Sequence, residues 1–263
     1  MRDLWPYFLI TTGKFSRSNP FVLLLGLIEK YGIYKSDLII GLIPRIKDYI
    51  KFRGFKDKKT FSSTFPVNKK FFKKKKNINL ELDKNKMNIC YAGNFGFDNH
   101  LEDLLNLISK INLKFINFYF IGDGSQKENL KKKFKDLKNV KFLSHVRYDS
   151  LHTVLIKMDC LILSFGFKNK YPLFGYELNK LNNYMMACKP IIVIGSKKNL
   201  LSNRGKFIFI TKNLPNIFSN KLLQLKNNYK SHLKVAKINK KNLLKRNNLH
   251  IIFNKTANQL KNL

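Results

Sequence analysis

The chain is short of acid, alanine, arginine and cysteine, and each shortage narrows what it can be. Only 16 of its 263 residues are Asp or Glu, against 51 Lys or Arg, which leaves a formal net charge of +35. Three cysteines (Cys90, Cys160, Cys188) are odd in number and widely spaced, without a CxxC pair, so neither a disulfide framework nor a zinc module is indicated. No apolar run approaches the roughly 18 to 20 residues of a membrane-spanning helix. The opening MRDLWPYFLITTGKF lacks the basic start, apolar stretch and small-residue cleavage site of a secretory signal. These absences point to a cytoplasmic protein, free or peripheral on the inner face of the cytoplasmic membrane. There is no HExxH and no close His/Asp/Glu cluster for a metal, no GxSxG turn for a hydrolase, and neither GxGxxG nor GxxxxGK[ST] for a dinucleotide or P-loop site. No cofactor is expected.

What is present is enough to fold. Hydrophobic residues make up 44% of the chain, with 23 Phe among them, which excludes a disordered basic tail. A charge of +35 should attract polyanions. Composition supplies a plainer cause: 44 Lys and 31 Asn stand against 7 Arg and 4 Ala, the bias an AT-rich coding sequence imposes on any protein. Arginine, the residue suited to bidentate phosphate and base contacts, is scarce, and the lysines run through linkers and helices alike without an aromatic-interleaved stripe. Nucleic acid is therefore disfavoured as a partner, and an anionic membrane surface is the second source considered for the charge. The densest run, Lys73 to Lys76, reads as an exposed linker.

Along the chain, residues 1–75 hold an apolar helical stretch (FVLLLGLIEKYG), a strand in SDLIIGLI, a helix that Pro44 opens and Gly54 closes, and a strand with a crossing segment in TFSSTFPVNKKFF. The sharply polar stretch 73–87 is the expected domain boundary. From there the pattern turns regular: short apolar runs MNICYAG, FINFYFIG, VKFLS, DCLILS, PIIVIG and KFIFIT alternate with helical stretches. That alternation predicts an α/β fold, a Rossmann-like parallel sheet over 85–215 covered on both faces. Two or three helices follow over 216–263, the last of them a candidate for crossing back to the first domain.

In such a sheet a ligand sits beyond the C-terminal strand ends. Three places qualify. The turn Tyr91-Ala92-Gly93-Asn94-Phe95-Gly96 follows the first strand of the domain and would let backbone approach a ligand, or is a βα turn that needs small residues. Gly122-Asp123-Gly124 follows the second strand, with a plain turn in which Asp123 helps cap the next helix as the alternative. The loop from Phe174 enters a helix through Glu177, Leu178, Asn179, Lys180 and Leu181. A helix start there offers free N–H groups and a positive dipole end suited to a diphosphate, and Lys180 adds charge, unless it simply faces water. Tyr184 and Met185 are expected to pack on the sheet. His100 and His145 lie close enough to the same crevice to be considered, or are satisfied surface or helix-start histidines, as His152, His232 and His250 are expected to be.

Taken in order, MRDLWP, SDLIIGLIPRIKDYIKFRG, YAGNFG, LEDLL, FIGDGSQKENL, NVKFLSHV and NKLNNYMMACKPII resemble segments of retaining glycosyltransferases of family 4, which have the two-domain GT-B fold. The likeness is nearest to the bacterial branch that builds lipopolysaccharide O-antigens and capsules with N-acetylated amino sugars. It runs from Met1 to about residue 195 and more loosely beyond. It implies a hexosyltransferase that takes a UDP-sugar donor and a polyprenyl-diphosphate-linked or saccharide acceptor, without a metal held by an Asp-rich motif. On the matching positions, Gly93, Asn94 and Gly96 would face the diphosphate. Gly122 and Gly124 would line the nucleotide side, Leu143 to Val146 would border the base, and Glu177 to Lys180 would meet sugar and phosphates. Asn183 stands where the branch keeps an acid beside the ribose, and an amide keeps hydrogen bonding but not charge. Cys188 replaces the glycine of the family's AAGKP-like stretch. RDLWP lies well inside the first domain of family members, so the resemblance implies that most of that domain is missing here. A misplaced start, a separately encoded N-terminal half or a gene fragment would each explain it.

Overall fold

The computed structural model describes residues 1, 3–11, 15–72, 80–167, 174–175, 178–195 and 205–261. The N-terminal unit runs α1 (Tyr7–Thr11), α2 (Pro20–Lys35), β1 (Leu38–Gly41), α3 (Ile46–Phe52) and β2 (Lys59–Ser62), then a 3-10 turn at Lys69–Phe72. The strands β1 and β2 pair in parallel, Leu38 opposite Lys59 and Gly41 opposite Ser62. On the β1 backbone Met1 donates to the Ile40 carbonyl at 2.5 Å and accepts from Leu42 N–H at 3.0 Å, the bonding of a parallel bridge. Pro20 opens α2, with the Asn19 side chain capping Phe21 N–H at 3.0 Å. This helix is apolar on both sides. Val22 and Ile33 are buried, while Leu23, Leu24, Leu27, Ile28, Tyr31 and Tyr34 are exposed.

The second unit is a six-stranded, wholly parallel sheet: β3 (Met87–Ala92), β4 (Ile116–Ile121), β5 (Val140–Leu143), β6 (Cys160–Ser164), β7 (Ile191–Ile194) and β8 (Ile208–Ile210). They lie in the order β5-β4-β3-β6-β7-β8, so the strand order reverses between β3 and β6. The helices α4 (Leu101–Ser109), α5 (Lys127–Lys133), α6 (Tyr148–Leu155) and α7 (Asn179–Met186) lie between strands, and α8 (Pro215–Asn227), α9 (Tyr229–Asn247) and α10 (Leu249–Lys261) follow. All six expected strands are present.

Continuous apolar strands follow from burial on both faces. Alternate side chains of β3 go to opposite cores: Ile89 and Tyr91 join Leu104, Phe118 and Phe218, while Cys90 and Ala92 join Leu161, Tyr184 and Val193. The units meet in several places among the described residues, Phe72 against the His152 ring among them. Phe174 sits among the rings of Tyr7, Tyr49 and Phe52, with centroids 5.2 to 5.7 Å away, and its carbonyl accepts from Arg45 N–H at 3.1 Å. Elsewhere the end of α9 reaches residues 65–67: Val67 N–H donates to Asn247 O at 2.7 Å, and the Asn182 and Asn247 amides both reach Phe65 O at 3.2 Å.

Sequence and structure part company at the end of α7. Cys188, which stands in for a glycine of the family pattern, has a left-handed backbone with φ +59°. A Cβ in that region crowds the following carbonyl, which is why glycine prevails just after a helix. Cys188→Gly is expected to stabilise the fold by about 1 kcal/mol, read as a higher urea midpoint at unchanged slope.

Candidate functional site

The site begins with the anchoring of α7. Tyr184 is fully buried, and its hydroxyl accepts the Ala92 N–H at 2.7 Å and lies 3.2 and 3.4 Å from the carbonyls of Ala92 and Ile162. That joint ties the helix to the ends of β3 and β6, where the sheet order reverses and a ligand crevice belongs. Lys180 is one turn earlier on the same face. Its ammonium therefore lies over the end of β3, donating to the Tyr91 hydroxyl and to Asn99 Oδ1, each at 2.9 Å, and standing 4.3 Å from the centre of the Tyr91 ring. The Tyr91 hydroxyl in turn donates to Asn94 O at 2.6 Å. Burial lowers the Lys180 ammonium to about 8, although Asp98 pulls the other way. Burial also raises the Tyr91 phenol, which stays protonated.

The glycines have local reasons that sequence did not reveal. A Cβ at Gly93 would lie 2.5 Å from Lys180 Cε and 2.6 Å from its Nζ, so the missing side chain is the path the lysine takes. At Gly122, φ +142°, a Cβ would overlap the Gly93 carbonyl oxygen; at Gly124, φ +147°, it would overlap Asn94 Oδ1 and lie 2.7 Å from Phe95 N. The two turns interlock through backbone bonds, Gly93 N–H to Ile121 O at 2.9 Å, Phe95 N–H to Asp123 O at 2.8 Å and Gln126 N–H to Phe95 O at 3.0 Å. At Gly96 a Cβ would stand 2.5 Å from Asp98 Oδ1. Asp123 accepts from Gly124 N–H at 2.8 Å and does not cap α5, whose N-cap is Gln126. A second ammonium stands beside the turns: Lys127 donates to Gly122 O at 2.8 Å.

The expected residues thus fall into three groups. Gly93, Asn94, Gly96, Gly122, Gly124 and Lys180 gather at the ends of β3 and β4, with Asn179 exposed as the first residue of α7. Leu143, Val146, Leu178 and Leu181 pack in one apolar cluster with Ala92, Ile121 and Phe165 on one face of the sheet. Asn183 is buried, its Oδ1 taking the Tyr148 hydroxyl at 3.4 Å in a small cleft with Phe72, Leu151 and His152. Glu177 lies outside the described residues. His100 has a left-handed backbone, φ +46°, and its carbonyl accepts from Ser164 Oγ at 3.2 Å. His152 departs from expectation: it is buried, its Nδ1 has no hydrogen-bond partner among the described residues, and burial and Lys240 lower its pKa. Sequence reading had Tyr91 only as the start of the first turn, with no role for its side chain, and missed Asn99 and Lys127 as parts of the site. Only Lys127 carried a signal, a lysine entering a helix behind a Gly-Asp-Gly turn. Among the described residues no three His, Cys, Asp or Glu side chains gather as a metal site requires.

No family model and no curated protein sequence matches the chain. Solved structures do. Sucrose-phosphate synthase from Thermosynechococcus elongatus matches with a TM-score of 0.74 at 13% identity, over 96% of this chain and 65% of that one. Anabaena HepE in complex with UDP matches with a TM-score of 0.71 at 13% identity, over 96% of this chain and 70% of that one. TarM of S. aureus, solved with UDP and alpha-GlcNAc-glycerol, gives 0.65 at 16% identity, over 88% of this chain and 45% of that one. The chain therefore spans just under two thirds of the sucrose-phosphate synthase. The fold is the expected one, the Rossmann-like α/β fold of GT-B glycosyltransferases.

The glycine contacts separate two kinds of substitution. Gly93→Ala need displace only a flexible lysine end, so stability should stay within about 1 kcal/mol of the parent while Lys180 titrates nearer the ordinary lysine value, read by NMR of labelled lysine. Gly122→Ala meets backbone at a strained φ and should cost more than about 2 kcal/mol in a urea melt.

Proposed function

We propose that this chain is the donor-binding part of a glycosyltransferase that takes a UDP-sugar. The observation that carries the reading is the Lys180 ammonium, held over the strand ends at the point where the sheet order reverses, on neutral partners and beside the start of α7. HepE has been solved with UDP and with UDP-glucose, which supports the choice of nucleotide. In this reading the turns holding Gly93, Asn94, Gly96, Gly122 and Gly124 flank the diphosphate, and Leu143 and Val146 border the base. Lys180 faces the phosphates with the N–H groups of residues 178–180, and Asn183 stands on the ribose side. As the glycosidic C–O bond breaks, negative charge collects on the departing UDP. A preplaced ammonium and oriented N–H groups stabilise that charge more than they stabilise bound donor, which is what acceleration requires.

The finer features come from the family resemblance: a retaining reaction, an N-acetylated amino sugar, and a polyprenyl-diphosphate-linked or saccharide acceptor in cell-surface polysaccharide synthesis. A second reading, a donor-binding subunit without turnover, draws on Asn183, an amide where the family pattern has an acid. Co-expression with an in-frame upstream segment, assayed for sugar transfer, separates the two.

Binding of UDP, followed by calorimetry or NMR shifts, tests the shared claim. A phosphate oxygen replacing the Tyr91 or Asn99 oxygen gives the ammonium a charged acceptor in place of a neutral one, so Lys180→Ala should weaken UDP by roughly ten- to a hundredfold at pH 7. Bound phosphate raises the Lys180 pKa, and binding then takes up a proton above the free value of about 8. UDP affinity should hold steady between pH 7 and 8 and fall by up to about tenfold per unit above that; Lys180→Ala should abolish the fall. A folded sample showing no UDP-induced shifts overturns the reading.

A further inference from the structure

The positive charge is not evenly opposed along the chain. The last acid is Glu177; residues 178–263 hold 18 Lys or Arg and neither Asp nor Glu, where about five acids would fall at the overall frequency. A coding bias towards A and T enriches lysine but does not remove aspartate or glutamate, which the first 177 residues retain.

The fold gathers part of this charge on one surface. On α9 the exposed residues Lys230, Lys234, Lys237, Lys241 and Lys245 recur at spacings of four, three, four and four. At 3.6 residues per turn that confines them to about 80° of the helix circumference. Ala236, Asn239, Leu243 and Asn247 are buried on the opposite side, so the lysine stripe faces water along the length of α9. No carboxylate stands on α8, α9 or α10, and none of the five lysines is in an ion pair among the described residues. Exposed apolar side chains stand beside the stripe and on the next helix. Ile238, on α9 beside Lys237, is 56% exposed; α10 has no buried residue, and Leu249, Phe253 and Leu260 are 43, 68 and 53% exposed, sharing one face at spacings of four and seven.

We propose that the lysine face of α9, with the exposed apolar residues of α10, docks this protein on an anionic phospholipid bilayer. Lysines supply attraction to lipid headgroups without demanding geometry, and exposed Ile, Leu and Phe have a use at the headgroup–acyl boundary. Nucleic acid fits the same surface less well. The one arginine of α9, Arg246, lies off the stripe, and no aromatic side chain alternates with the lysines to stack on bases. The sequence alone hid this face, because lysine is abundant everywhere and only the helix shows which lysines align. No helix among the described residues is long and apolar enough to cross a membrane, so the contact is peripheral. The inference stands apart from the sugar-transfer reading.

Sedimentation with vesicles tests it. The chain should bind phosphatidylcholine vesicles containing about a third phosphatidylglycerol, bind pure phosphatidylcholine weakly, and be released at high salt. A lysine near an anionic surface is worth roughly fivefold in affinity, so Lys234→Gln, Lys237→Gln and Lys241→Gln together should weaken binding on the order of a hundredfold. A control of equal charge change on α5 and just beyond it, Lys131→Gln, Lys132→Gln and Lys135→Gln, should lose less than about fivefold. Circular dichroism of both variants checks that each is folded. Equal losses in the two variants would mean diffuse charge and overturn the proposal. So would duplex DNA competing the chain off the vesicles at equal phosphate concentration, or binding that ignores the lipid charge.

Discussion

Lys180 can lie across the end of β3 only because position 93 has no side chain, and the remainder of the candidate site is arranged around that crossing. The lysine leaves α7 one turn before Tyr184, whose hydroxyl fixes the helix on the backbone of Ala92. It passes over Gly93, reaches Tyr91 and Asn99, and through Tyr91 is linked to the carbonyl of Asn94. Helix, strand and turn are thus held by a single chain of contacts between residues far apart in sequence. Two effects compete at the ammonium: withdrawal from water disfavours its charge, and Asp98 favours it. The first prevails, leaving the pKa at about 8, so a small change in surroundings decides the protonation state near neutral pH.

Much of the fold was legible because the strands are buried on both faces. A run such as INFYFI in β4, buried at every position, has no polar phase to confuse it with a surface helix. The helices between were legible from their spacing: Leu101, Leu104, Leu105 and Ile108 of α4 share one face. The site was legible only as a set of turns. That the turns after β3 and β4 touch depends on Gly122 meeting the Gly93 carbonyl, and no local pattern reports on residues in different turns. The partnership of Lys180 with Tyr91 spans 89 positions and is equally invisible. Asn183, which the family pattern puts beside the ribose, has its described side-chain contact with Tyr148 of α6, 35 positions away, and that too no local pattern reports.

Charge illustrates how composition can mislead in both directions. An excess of lysine set by coding bias is mostly solvated background, worth little to stability when exposed. Yet the fold sorts that background. One lysine is drawn into the crevice, where burial alters its acidity, and five are aligned along α9, while many others remain in water. Equal residue types therefore carry unequal physical weight, and the weight is assigned by the helices that bear them.

The glycines permit a reading in the opposite sense. All glycine codons begin with two guanines, so a drift towards A and T, which has left 4 alanines in the chain, should also wear glycine away. Thirteen remain. Of the twelve described, only Gly26 and Gly32, both in α2, neither adopt a left-handed or otherwise positive φ nor leave room that a methyl group would overfill. The others stand where a positive φ would strain a side chain or a close neighbour would have to move for one. In a chain this poor in alanine, the retained glycines mark the places where even a methyl group would have to displace its surroundings or strain the backbone.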